Sequence, residues 1–281
     1  MSRASRTARM VAAYRARATA KEDAICTDPW AARLAGEEGF AIAKKYDDVY
    51  PHMELWTAVR TAFIDAQVRE LTKGEKISQI VLLGAGFDTR AARLAIPGAR
   101  FFEVDQPASH DEKQNGLAAL TDYPVANATY VTCDFEKEDF IERLRASAFD
   151  AGAPALFIWE GVTPYLTEAA VRSTLRRIAT GVHPESMVIF DHLRRKIVAG
   201  EARDPKDLES RAFVADLGEP LRFGVDYPLP FLYEEGFRSV RTFTFDEICL
   251  ELTGTYERER AFRFQGLVIA GRARAPSSNR C

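Results

Sequence analysis

Four places in the sequence put glycine or a carboxylate where an apolar run ends. Residues 77–83 stop at Gly84-Ala85-Gly86-Phe87-Asp88, 100–104 stop at Asp105, 128–132 are followed by Cys133-Asp134-Phe135, and 155–159 are followed by Glu160-Gly161. Two glycines one residue apart let a backbone turn sharply and come close to a ligand. Asp105, 19 residues after Gly86, can accept two hydrogen bonds from a ribose diol. Asp134 can accept from the amino group of an adenine, and Phe135 can cover the ring. Plainer readings stand beside these. Gly-x-Gly is a common turn, Asp105 can cap a helix, Asp134 can sit in a turn beside a core Phe135, and Glu160 can be purely structural. Their co-location is the stronger argument, because strand ends in an open parallel sheet meet in one crevice.

The glycine turn differs from that of a dinucleotide site. The third glycine of such a fingerprint would fall at Thr89, so a nicotinamide oxidoreductase is disfavoured. A crevice rimmed by carboxylates suits a ligand that carries a sulfonium and an ammonium group. The carboxylate of an amino-acid moiety needs a donor instead. Arg60, on the helix before the first strand, can supply a forked contact or form an ordinary salt bridge. Arg17 is a second candidate if an N-terminal helix folds over the crevice. On the acceptor side, His192 follows the fifth apolar run and can serve as a base or cap a helix. Tyr165 can orient an acceptor through its hydroxyl or simply form wall. No metal is expected, since no cluster has ligand spacing.

These residues need a scaffold. Residues 5–20 are rich in Ala and Arg without Gly or Pro, and 53–71 carry Leu55, Val59, Phe63 and Val68 on nearly one face, so both read as helix. A short helix after Asp28-Pro29 is interrupted by Gly36 and Gly39. From 77 to 190, strands at 77–83, 100–104, 128–132, 155–159 and 186–190 alternate with helices at 89–94, 111–120, 138–145 and 167–179. That alternation is an α/β fold, a Rossmann-like doubly wound sheet. Residues 193–217 read as a helical, charged insertion that could act as a lid. Strands at 240–245 and 262–270 add an antiparallel edge and make seven.

At 281 residues and 47% hydrophobic, the chain has ample material for one large core. We expect one domain, with a helical cap over 1–73, a cofactor-binding core over 74–192, a lid or acceptor region over 193–237 and completing strands over 238–275. With 38 basic and 41 acidic residues the net charge is −3, which argues against a nucleic-acid partner. Cys26, Cys133, Cys249 and Cys281 are widely spaced and read as reduced thiols of a cytoplasmic protein. No run is apolar enough for a membrane span. The sequence carries no signal for oligomeric state.

The ordered set of motifs resembles the leucine carboxyl methyltransferase superfamily. Val59-Arg60-Thr61, Leu83 through Arg90, Phe102-Glu103-Val104-Asp105-Gln106-Pro107, Cys133-Asp134-Phe135 and Trp159 through Leu166 carry the likeness. The resemblance implies S-adenosyl-L-methionine as cofactor. It implies Arg60 on the cofactor carboxylate, Gly84, Ala85 and Gly86 as the turn beneath the methionyl part, and Asp105 on the ribose. It further implies Asp134 and Phe135 on the adenine and Glu160 near the amino group, with Arg17 in place of an N-terminal lysine. The compact bacterial branch points to O-methylation of a small-molecule carboxylic acid or phenol. Modification of a protein C-terminal carboxylate is the runner-up, and a non-catalytic binding protein is a more distant reading.

Overall fold

The structure is a computed structural model that describes residues 5–74, 76–135, 137–254 and 265–272. Its strands are β1 (Gln79–Leu83), β2 (Arg100–Asp105), β3 (Ala128–Thr132), β4 (Ala155–Trp159), β5 (Met187–Leu193), β6 (Ser239–Thr244) and β7 (Gln265–Gly271). They form one seven-stranded sheet in the order β3-β2-β1-β4-β5-β7-β6. The first five run parallel, and β7 is antiparallel to both β5 and β6. The reversed strand therefore lies one place in from the edge. β1 has β2 on one side and β4 on the other, so the winding direction changes there and opens a crevice at the strand ends.

Helices α1 (Arg6–Thr19), α2 (Ala31–Val49) and α3 (Met53–Leu71) precede the sheet. Helices α4 (Arg90–Arg93), α5 (Pro107–Ala118), α6 (Phe140–Arg145) and α7 (Glu168–Gly181) connect the parallel strands. Between β5 and β6 lie α8 (Arg195–Val198), α9 (Pro205–Asp216) and α10 (Pro228–Glu234), and α11 (Phe245–Thr253) joins β6 to β7. No described helix is long and apolar enough to cross a membrane.

The apolar runs become central strands because both faces of the sheet are covered. Every residue of β1 and β4 is buried. On one face Ile80, Leu82 and Ile158 pack with Val59 and Phe63 of α3. On the other, Val81, Leu83 and Phe157 pack with Val171, Leu175 and Ile178 of α7. That helix begins where the Thr167 hydroxyl accepts the Ala170 N–H at 3.2 Å, as a cap residue should.

Two elements run further than their local sequence signals. The segment after Asp28-Pro29 continues through a kink at Gly36 (φ 58°, ψ −178°) to Val49. Leu34, Ala35, Ile42 and Ala43 bury their side chains in the same core as Ala12 and Ala13 of α1, and this packing outweighs the glycines. β5 extends to Leu193, because each residue to that point pairs with β7, ending at Leu193↔Gln265. His192 therefore lies inside a strand and not beyond one. The final strand starts at Gln265, and residues 262–264, like Cys281, lie outside the described residues. Cys26, Cys133 and Cys249 are buried.

Candidate cofactor and acceptor site

A cavity of about 630 Å³ opens at the carboxyl ends of the parallel strands. Gly84, Ala85 and Gly86 after β1, Asp105 at the end of β2, Phe135 beyond β3, Glu160 beyond β4 and Asp191 on β5 all line it. The register of a parallel sheet brings these ends to one level, so residues distant in sequence share one surface. The first turn is tied to β2, since the Gly84 and Ala85 N–H groups both donate to the Val104 carbonyl, at 2.7 and 3.2 Å. Gly84 has φ 67°, and a Cβ there would lie 2.5 Å from Val162 Cγ2. Only glycine fits both the turn and that approach. Asp105 accepts the Gly86 N–H at 2.5 Å and the Gln106 N–H at 2.7 Å. Burial nonetheless raises its carboxyl pKa.

Beneath the cavity lies a network of buried charges. Arg60 donates through Nε to Glu160 Oε1 at 2.8 Å and through Nη1 to Asp191 Oδ2 at 2.7 Å. Arg90 reaches Glu160 Oε2 at 2.5 Å, Asp65 Oδ1 at 2.7 Å, and Asp88. Burial opposes the charge on Glu160, but Arg90 and Arg60 together hold its pKa below the usual range. Burial likewise opposes the charge on Arg60, which Glu160 and Asp191 stabilise. Asp191 also fixes the turn after β4, since its Oδ1 accepts the Gly161 N–H at 2.7 Å and its carbonyl accepts the Thr163 hydroxyl at 2.7 Å. Such a network is worth little as net stability but fixes positions, because losing one member strands another charge in the interior.

Not every residue singled out in the sequence reaches the cavity. Arg17 turns away: its guanidinium bonds Asp47 Oδ2 at 2.6 Å and Glu54 Oε2 at 2.7 Å. Two helical positions differ in direction by about 200°, and Arg15 takes the inward direction. It lines the cavity, donating to the Phe87 carbonyl at 2.6 Å and to Asp28 Oδ2 at 2.9 Å. His192 is also outside. Strand side chains alternate between faces, so Asp191 and Leu193 line the cavity while His192 faces the opposite layer. Its Nδ1 is buried without a hydrogen-bond partner, and burial holds its pKa down at about 4. A base for the acceptor cannot act from there. Asp134 stands at the rim, ion-paired with Lys137 at 2.6 Å and off the lining surface. Tyr165 does line the cavity, and burial pushes its hydroxyl pKa well up.

Arg15, Asp191 and Glu219 line the cavity and Arg90 braces Glu160 beneath it, and none of the four stands among the candidates drawn from the sequence. Asp191 carried the signal already used for Asp105 and Glu160, an acidic residue closing an apolar run. The far wall comes from the chain after β5, with Ile197, Val214, Leu217 and Leu221 facing Met53 of α3. There the Tyr46 and Ser210 hydroxyls are hydrogen-bonded to each other, joining α2 to α9.

Comparison with known proteins agrees with this architecture. An inferred S-adenosyl-L-methionine-dependent methyltransferase of Mycolicibacterium vanbaalenii is 33% identical over 248 residues, covering 83% of this chain and 78% of its own. A similar protein of Mycolicibacterium paratuberculosis is 37% identical over 204 residues, covering 64% of this chain and 67% of its own. The crystal structure of an inferred methyltransferase from Thermobifida fusca shares the fold, with a TM-score of 0.67 at 18% identity over 97% of this chain and 96% of that one. Residues 8–179 match the model of the leucine carboxyl methyltransferase family. The chain belongs to that family and is an S-adenosyl-L-methionine-dependent methyltransferase.

Proposed function

We propose that the enzyme methylates a carboxylate oxygen of a small apolar acid in the cytoplasm. One observation carries the choice of acceptor. The titratable side chains facing the cavity are carboxylates, arginines and tyrosines, and burial keeps the tyrosine hydroxyls protonated, with Tyr46 pushed up to about 12. In this reading Asp105, Glu160 and Asp191 are committed to backbone N–H groups and to Arg60, and protonated hydroxyls hold an anion well but do not remove protons. A carboxylic acid is already ionised near neutral pH, whereas a phenol with pKa ~10 needs a base. The apolar wall formed by Met53, Ile197, Val214 and Leu221 supports a hydrophobic acid body.

The residues present fit S-adenosyl-L-methionine. Gly84 leaves the backbone bare at the turn, and Arg60 and Gly161 line the cavity together, with Arg60 Nη2 3.5 Å from where a Gly161 Cβ would stand. In this reading Arg60 holds the methionyl carboxylate, Glu160 the ammonium, Asp105 the ribose diol and Phe135 the adenine ring, with Asp134 at the rim for the adenine amine. When bound, the cofactor would supply an electrophilic methyl group to the acceptor oxygen, its sulfur keeping the electron pair of the broken S–CH3 bond. Tyr165 donates to the acceptor oxygen that does not attack and so sets its angle. Orientation of this kind can lower a barrier by roughly 7–11 kcal/mol in ideal cases.

A second reading is favoured by the family match itself, whose description is leucine carboxyl methyltransferase. In it the carboxylate belongs to the C-terminus of a peptide. Labelled methyl transfer to an apolar acid, the matching phenol, and a leucine-terminated peptide with free or amidated terminus tests both. Base-labile ester on the small acid, at a rate flat from about pH 6 to 9, is the expected result. Phenol methylation that rises with pH would overturn the carboxylate reading. Ester on the free peptide alone would move the acceptor to a protein terminus.

A further inference from the structure

Beyond α9 the segment Leu217-Gly218-Glu219-Pro220 turns back into the cavity. Gly218 stops the helix with φ 93°, a conformation that favours glycine at a helix end. Its N–H donates to the Ala215 carbonyl at 2.9 Å, and that of Glu219 to the Val214 carbonyl at 3.1 Å. Three residues on, the Arg222 and Phe223 N–H groups both donate to the Pro164 carbonyl, at 2.7 and 3.1 Å. Glu219 is thus held between two anchored turns, one on α9 and one on the loop after β4.

Its side chain lines the same cavity as Gly86 and Asp105. The carboxylate leans on the start of α1, where the Ser5 hydroxyl and the Thr7 N–H donate to it. Its Oε2 is buried and has no hydrogen-bond partner. Asp105 and Glu219 both line this one cavity; burial raises the Glu219 carboxyl pKa and the charge of Asp105 adds to the rise. A buried acceptor with no donor is unusual and asks for one from a ligand. In the reading above, the amino-acid end of the cofactor lies by Arg60 and Glu160 and its adenine by Phe135. The donor that falls near Asp105 is the ribose diol.

We propose that Glu219 is a second ribose ligand, reaching the diol from the helical insertion on the side opposite Asp105. The sheet and the insertion then grip one cofactor group from two sides, and α1 is locked beneath the insertion by the same carboxylate. The inference rests on the assignment of Asp105 to the ribose.

The test is calorimetric titration of the whole enzyme with S-adenosylhomocysteine and with its 3′-deoxy analogue. Glu219→Gln should weaken S-adenosylhomocysteine by about tenfold, the size of one hydrogen bond to a charged group. The wild type should lose a larger factor on the deoxy analogue than the variant, which keeps only the Asp105 contact to the diol. Equal affinity of variant and wild type would overturn the proposal, and so would an undiminished preference of the variant for the full ribose. Lower turnover with unchanged S-adenosylhomocysteine affinity would also overturn it, moving Glu219 to the acceptor. If Glu219→Gln does not fold, Glu219→Asp, which keeps the charge but shortens the reach, gives the same comparison. Asp105→Ala run alongside separates the two ideas: full affinity there sinks the ribose assignment itself.

Discussion

The two walls of the cavity are built by different means. The wall of strand ends is fixed by backbone pairing and by the Arg60, Glu160, Arg90 and Asp191 network, whose side chains are at most 11% exposed. The wall from the chain after β5 rests on far less. In α9 Val214 alone is buried, and the helix meets α2 through the Tyr46–Ser210 hydroxyls and through Tyr46 against Phe213, with ring centroids 4.9 Å apart. Catalysis by alignment wants one partner rigid, whereas a thinly buried element opens at low free energy. The comparison teaches that the strand-end wall, which the proposed function gives to the cofactor, is preorganised, and that the wall after β5 is where this chain can adapt.

The largest effect should come from Arg60→Ala. It removes the forked donor and strands Glu160 and Asp191 in the interior, so S-adenosylhomocysteine affinity should fall by about a hundredfold. Stability to urea should fall by about 3–5 kcal/mol, as for other broken buried ion pairs. Unchanged affinity would mean that the strand-end wall does not hold the cofactor, and the contrast between the walls would fail.

The smallest effect on catalysis is expected from His192→Asn, which alters the opposite side of the sheet. Turnover should change by less than about twofold, measured under saturating cofactor. Stability should instead change its pH dependence. Burial depresses the folded pKa of His192 to about 4, whereas the unfolded imidazole titrates near ~6.5. Between those values the unfolded chain binds a proton that the folded chain refuses, so the wild type loses stability as pH falls through the window. Melting curves of His192→Asn should be flatter there. A collapse of turnover in the variant would return His192 to the mechanism.

Much of the strand-end wall was readable from the sequence because buried parallel strands are continuous apolar runs, and their ends show as abrupt glycines and carboxylates. Gly84, Gly86, Asp105 and Glu160 were found that way. His192 was misplaced because the last turns of β5 exist only through pairing with β7, more than seventy residues away. Arg17 rests on an N-terminal helix folding over the crevice and on the family resemblance, neither of which fixes the rotation of α1; its inward face, with Arg15, is set by α2 and α3. Glu219 could not be seen at all. Its position depends on two turns that bring the insertion back to Pro164 and to the start of α1, and no local pattern encodes that return.

The central claim is that separate strand ends make one cofactor cleft, and titration of Asp105→Ala with S-adenosylhomocysteine tests it most directly. Loss of a carboxylate that takes up the ribose should raise the dissociation constant by more than about tenfold in a protein that still melts cooperatively. A dissociation constant equal to that of the wild type would contradict the account.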